Sequence, residues 1–169
     1  MLMMTRMGEA KRYFTVAEAN ALIPALEVRF GKVMQLRAQL RTAYDALDAA
    51  GEPPTADTLQ RRDGEPGAAV GGGFTDGRPA TDELRRLRGR FRALLEALTE
   101  ELAAVEGLGV AVKDLELGLC DFLGERDGRE VWLCWQYGEK SVAFWHELGE
   151  GFGGRHPLAA PPSSTRLLH

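Results

Sequence analysis

The chain reads as an α+β fold, a long antiparallel helical hairpin followed by a small antiparallel β-meander. Apolar residues recur at steps of three and four over two long N-terminal stretches, which is the period of an amphipathic helix. From Val110 the period falls to two, and Asp127-Gly128 and Gly138-Glu139 punctuate the alternating runs as tight-turn pairs. Helices first and strands second is the order of an α+β domain.

The first helix is expected over residues 16–50. Thr15 can cap it while Glu18 reaches back, giving the capping box Thr15-x-x-Glu18. Leu22, Leu26, Phe30, Val33, Leu36 or Arg37, Leu40, Tyr44 and Leu47 draw one apolar stripe, and Gly51, Pro53 and Pro54 stop the helix. Pro24 removes a backbone donor inside it, so a kink or a short first segment is expected. Residues 51–80 are rich in Gly and Pro with little that is apolar beyond Leu59, Val70 and Phe74, and they read as a flexible loop that cannot offset its ordering entropy. Thr81 or Asp82 caps a second helix over 82–106, whose stripe is Leu84, Leu87, Phe91, Leu94, Leu98, Leu102 and Val105; Gly107 and Gly109 end it. The near-heptad spacing suits a coiled-coil-like hairpin.

The sheet is expected over 110–147, with strands at Val110–Lys113, Leu115–Phe122, Glu130–Tyr137 and Val142–Glu147. Two-residue turns at both turn pairs would put Cys120, Phe122, Val131, Leu133, Trp135, Val142, Phe144 and His146 on one face. Leu117, Leu119, Asp121, Trp132, Cys134, Ala143, Trp145 and Glu147 would share the other. Both faces are then apolar, whereas an antiparallel sheet with one face in water alternates with polar residues. A second copy of the chain in a C2 dimer is the simplest cover for the second face; the Gly-rich loop at 149–155 or the C-terminal tail is the competing one.

Composition narrows the function classes. With 169 residues, 44% hydrophobic and 27% charged, the sequence suits one domain over 13–158, with residues 1–12 and 159–169 expected to be disordered. Met1, Met3, Met4 and Met7 crowd the start, and Met7 is a candidate initiator. No apolar run reaches the roughly 20 residues that span a bilayer, and Met1–Arg12 lacks the apolar centre of a signal peptide, so a cytoplasmic protein without a membrane partner is expected. A net charge of −4 argues against nucleic acid as a partner. The one basic cluster, Arg85, Arg86, Arg88, Arg90 and Arg92, falls on both flanks of its helix stripe and reads as a solvated, salt-bridged flank. Cys120 and Cys134 lack paired metal-site spacing and read as buried strand thiols.

The chemistry-bearing residues gather late. Gly149-x-Gly151-x-x-Gly154 follows a strand but opens no helix that could hold a pyrophosphate. His146-Glu147-Leu148-Gly149-Glu150 misses the zinc-protease pattern, because Glu150 stands where the second His belongs and no helix carries it. A different metal site using His146 with Glu139, Glu147, Glu150, Asp121 or His156 is allowed by residue type, yet a hydrogen-bonded histidine without metal or cofactor is the preferred reading. The expected register sets Cys134 on the face opposite His146; Cys120 shares its face but is apolar and inert. Arg155 can grip a carboxylate or phosphate, or pair with Glu147 or Glu150.

Several motifs in order carry a resemblance: Phe14-Thr15-Val16-x-Glu18-Ala19-Asn20-x-Leu22-Ile23-Pro24, Lys113-Asp114-Leu115-Glu116-Leu117-Gly118-Leu119-Cys120-Asp121-Phe122, Leu133-Cys134-Trp135 with Gly138-Glu139, and Phe144-Trp145-His146 with Gly151-Phe152-x-Gly154-Arg155-x-Pro157. Over about residues 13–158 the chain resembles the bacterial domain-of-unknown-function family 2203. The resemblance implies a small cytoplasmic protein and no established activity; the 51–80 insert and the tail depart from it. The first functional reading is a non-enzymatic, self-associating module that binds its own copy or another protein. The alternative is a small-molecule or metal-binding protein, catalytic or not, with a site at His146, Glu147, Arg155, Asp121 and Glu139.

Overall fold

The computed structural model describes residues 11–55 and 82–159; the expectations for the N-terminus before Lys11, for most of the 51–80 loop and for the tail beyond Ala159 lie outside the described residues. The architecture is α+β. Helices α1 (Val16–Ala49) and α2 (Asp82–Glu106) precede strands β1 (Ala111–Asp114), β2 (Leu119–Arg126), β3 (Arg129–Gln136), β4 (Phe144–Glu147) and β5 (His156–Pro157). The five strands form one antiparallel sheet in sequence order. No helix among the described residues is long and apolar enough to cross a membrane.

These elements divide into two compact units. One is helical and spans residues 31–102, where the later part of α1 runs antiparallel to α2. Ala43, Leu47 and Phe91 form its buried cluster, flanked by Leu40, Leu84, Leu87, Leu94 and Leu95. Lys32 of α1 pairs with Glu101 of α2, Arg88 of α2 pairs with Glu52 just past the end of α1, and Arg85 pairs with Asp82 one turn away. Within this unit the expected stripe differs at one place: Ala43 is buried, and Tyr44 is 43% exposed. A 3.6-residue turn carries the buried line from Leu40 to Ala43 and Leu47.

The other unit combines residues up to Phe30 with residues from Ala103 onward. The capping box forms as read: Thr15 N–H donates to Glu18 Oε2 at 2.8 Å, and Glu18 N–H donates to Thr15 Oγ1 at 3.1 Å. The Thr15 backbone bond holds the Glu18 carboxyl below its usual range. Helix α1 continues without a break through Pro24. Phe30 meets Trp135 edge to face at 5.9 Å, and Phe14 meets Phe122 at 5.3 Å. Cys120, Phe122, Val131, Leu133 and Trp135 make the buried apolar face of the sheet. Gly124 lies opposite Val131, and a methyl group there would sit 3.1 Å from both Phe14 O and Leu133. The missing side chain lets Phe14 N–H bond Leu123 O at 2.8 Å.

Two turns behave differently. Asp127 and Gly128 have φ of 52° and 75°, the doubly left-handed two-residue hairpin, and β2 pairs with β3 in the expected register. At Gly138-Glu139 no two-residue hairpin forms. Residues 137–143 make a wider loop, tied by Trp135 Nε1–H to Glu139 O (2.9 Å), Gln136 N–H to Glu139 Oε2 (2.8 Å) and Val142 N–H to Asn20 Oδ1 (2.8 Å). Strand β4 therefore pairs Leu133 with Trp145 and Trp132 with His146, one residue from the expected register. A slip of one residue exchanges the faces of a whole strand. The stretch Leu115–Gly118 is also a turn and not strand, because Asp114 Oδ1 accepts the Glu116 and Leu117 N–H groups at 2.7 and 2.9 Å.

Candidate functional site

The wider β3–β4 loop decides the site. With β4 moved by one residue, His146 falls on the face that carries Asp121 and Cys134, on three neighbouring strands. Asp121 is paired with Cys134 across β2–β3, and Trp132 with His146 across β3–β4. The expectation that His146 and Cys134 lie on opposite faces is corrected by this register. Cys120 is the thiol that points away, into the apolar core.

All three side chains are buried, and one donor atom from each lies within 4.8 Å of the others. His146 Nδ1 is 2.9 Å from Glu147 O, and His146 Nε2 is 3.0 Å from Asp121 Oδ2. A carbonyl only accepts, so Nδ1 carries a proton. Nε2 and Oδ2 must share a second proton, since two bare acceptors at 3.0 Å would repel. The ring is thus imidazolium against carboxylate, or neutral against carboxylic acid, with one proton held between the pair. Among the described residues no N–H or O–H donor reaches Asp121 Oδ1, which is buried; the carboxyl group's further neighbour is the weak S–H donor of Cys134. Burial first, then the Asp121 charge, pushes the Cys134 thiol up to about 12.

A cavity of about 100 Å³ opens beside this cluster. Its sheet wall is Lys113, Leu119, Asp121, Trp132, Cys134 and His146, and the loop after β4 covers it with Leu148, Glu150, Gly151 and Phe152. Lys113 Nζ sits 4.1 Å over the Trp132 ring. Much of the second face's cover is thus the chain's own Gly-rich loop, the competing cover read from the sequence. Arg155 anchors that loop: its guanidinium lies 4.1 Å from the Phe144 ring centre and 4.8 Å from that of Phe152, and one terminal nitrogen donates to both Glu139 oxygens at 2.9 and 2.8 Å. The charges of Arg155 and Glu139 are both felt at the Cys134 thiol.

Of the five residues singled out in the sequence, Asp121 and His146 bond directly, and Glu139 and Arg155 pair beside them. Glu147 does not join: its carboxylate is on the other face, 3.4 Å from Arg129, and only its backbone carbonyl reaches His146. Arg155 pairs with Glu139 in place of Glu147 or Glu150. Glu150 instead lies 3.7 Å from His156. Cys134, Trp132, Lys113 and Phe152 were missed. Requiring the only His and Asp of the central strands to share a face would have recovered Cys134 as well.

The arrangement disfavours one chemistry. Nucleophilic catalysis by Cys134 needs a thiolate and an imidazole nitrogen free to accept its proton. Here the thiol is held protonated, and both ring nitrogens are engaged. What remains is a buried polar cluster with an unfilled acceptor at the edge of a small cavity.

Comparison with known proteins gives a family and no closer relative. Neither a curated protein nor a solved structure matches the chain. A family model described as "Uncharacterized conserved protein (DUF2203)" matches residues 12–158, which include both helices, every strand and the whole cluster. The chain belongs to the DUF2203 family.

Proposed function

We propose that this chain is a small-ligand-binding protein whose site is the cavity on the polar sheet face, with the Asp121–His146 pair at its floor. The observation that supports this reading is the burial of that pair. Asp121 and His146 are 2% and 3% exposed, and desolvating such a pair costs about as much as its internal attraction returns. On the opposite face of the same sheet the buried residues Cys120, Phe122, Val131, Leu133 and Trp135 are all apolar, so a buried ionisable pair is particular to this face. A volume near 100 Å³ is far below the roughly 300 Å³ of drug-sized pockets, which limits the occupant to an ion or a molecule of a few atoms.

Thermal shifts of the full chain with a panel of small carboxylates, amines, phosphates and divalent metal ions test the reading. The comparison is the double variant Asp121→Leu, His146→Phe. One ligand class should raise the wild-type Tm and leave the variant unmoved. Equal responses of both proteins to every class would overturn the proposal.

Self-association is the second reading. It is favoured by Leu148 and Phe152, 46% and 44% exposed on the covering loop, and would place a second copy or another protein over that rim. Its original motive, an apolar second face, is weakened by the polar cluster there. Size-exclusion chromatography with light scattering tests it, and a clean monomer removes it.

A further inference from the structure

We propose that Asp121, Cys134 and His146 are the three protein ligands of a divalent transition metal of the zinc class, with the fourth coordination position turned to the cavity. The inference rests on the ligand-site reading and names its occupant.

Five features of the cluster converge on a metal. The donors are a carboxylate, a thiol and an imidazole, the set that borderline and soft divalent ions take, while magnesium and calcium prefer oxygen alone. Their separation, within 4.8 Å, is close to the roughly 3.5 Å between donors that tetrahedral zinc bond lengths require, so side-chain adjustment without backbone movement can close it. His146 is already oriented as a ligand: Nδ1–H is fixed on the Glu147 carbonyl at 2.9 Å, leaving Nε2 as the donor. Asp121 Oδ1 is a buried acceptor that no N–H or O–H donor among the described residues reaches, and a cation would satisfy it. The three residues come from three adjacent strands, so the sheet's hydrogen bonds hold the set rigid.

The charge balance also favours the ion. On binding, the metal forms bonds to Cys134 Sγ, His146 Nε2 and an Asp121 oxygen. The thiol proton and the proton between Nε2 and Oδ2 leave to solvent. Two protons are exchanged for one dication, so the buried cluster keeps its net charge and no uncompensated charge is buried. Three protein ligands with an open fourth position is the pattern of reactive rather than purely structural zinc sites, and the adjoining cavity holds water or a very small ligand there.

The test uses the full chain stripped with EDTA and titrated with Co(II), then Zn(II). Wild type and Cys120→Ala should both develop a near-ultraviolet thiolate-to-cobalt band with intense d–d absorption, and Zn(II) should displace it. Cys134→Ser should lose the band. Asp121→Asn should keep the band but bind at least about tenfold more weakly, which serves if Cys134→Ser does not fold. Absence of the band in wild type, its survival in Cys134→Ser, or unchanged affinity in Asp121→Asn overturns the proposal. If both metals fail while a non-metal ligand shifts Tm through Asp121 and His146, the metal inference falls and the ligand-site reading stands. If nothing binds through those residues, both fall.

Discussion

His146 is held at both ring nitrogens, by Asp121 Oδ2 at 3.0 Å and by the Glu147 carbonyl at 2.9 Å. Its orientation is fixed by one partner across the sheet and one in its own backbone. The imidazole is therefore a positioned donor and not a mobile base.

That geometry gives opposite stability outcomes for single and double substitutions. Asp121→Leu alone strands His146 Nε2 in a buried site and is expected to cost about 3 kcal/mol, because breaking a buried pair leaves a polar group uncompensated. Asp121→Leu with His146→Phe removes both partners and should return stability to within about 1 kcal/mol of wild type or above it. Urea unfolding of the four proteins reads the coupling directly. Additive losses would mean the pair contributes to the fold as two independent residues.

In the metal-free chain, alkaline pH should weaken this fold through its two buried thiols. Burial raises Cys134 from an ordinary value of 9.0 to about 12, and raises Cys120 further. Above pH 9 the unfolded chain releases thiol protons that the folded chain retains, so folding is disfavoured as pH rises. The stability is whole below about pH 9 and falls by about 1.4 kcal/mol per pH unit for each thiol until the folded-state value is reached. Denaturant unfolding between about pH 8 and 11 should show this slope on top of other titrations. Cys120→Ala should remove one thiol's share. An unchanged slope in that variant would place the loss elsewhere.

How far the sequence could be read follows from how far each residue's neighbours are local. The capping box at Thr15 and Glu18, the stripe from Leu84 to Val105 and the Asp127-Gly128 hairpin depend on residues within a turn or two, and all appear as read. Gly138-Glu139 looked like the same kind of turn. There the outcome rests on distant partners, since Asn20 accepts the Val142 N–H and Trp135 bonds the loop's backbone. One residue of register followed from those contacts, and it moved His146 from the core face to Asp121 and Cys134. Residue identity thus marked Asp121, His146, Glu139 and Arg155 as chemically interesting, while their grouping depended on tertiary bonds that no local pattern encodes. His156 and Pro157 pairing as β5 is a similar case, a two-residue strand fixed by Phe144 and Trp145.

Arg155 should report on the covering loop. Its guanidinium fills the space between Phe144 and Phe152 and bonds Glu139, with the arginine side chain only 10% exposed. Arg155→Lys keeps the charge but loses the planar stacking and the shared bond, at an expected cost of about 1–2 kcal/mol. The loss should be local. Hydrogen exchange at residues 149–154 should accelerate while the amides of β2 and β3 keep their protection. Uniform acceleration across the sheet would show that Arg155 supports the whole unit and not the loop.

Gly124 offers the sharpest test of how the N-terminal segment crosses the sheet. A β-carbon there would approach Leu133 Cδ1 and Cγ and the Phe14 carbonyl, all at 3.1 Å. Leu133 can adjust its rotamer, but Phe14 O cannot retreat without straining the Phe14 N–H bond to Leu123 O. Gly124→Ala is therefore expected to destabilise by about 1–3 kcal/mol through overpacking, although alanine suits a strand better than glycine. Gly128→Ala also destabilises but for another reason, since its φ of 75° disfavours any side chain while nothing lies within 4 Å. The two separate in a second substitution. Leu133→Val, which removes one clashing contact, should recover part of the Gly124→Ala loss and none of the Gly128→Ala loss. Equal behaviour of the two double variants, read by urea unfolding, would rule out steric contact as the cause at Gly124.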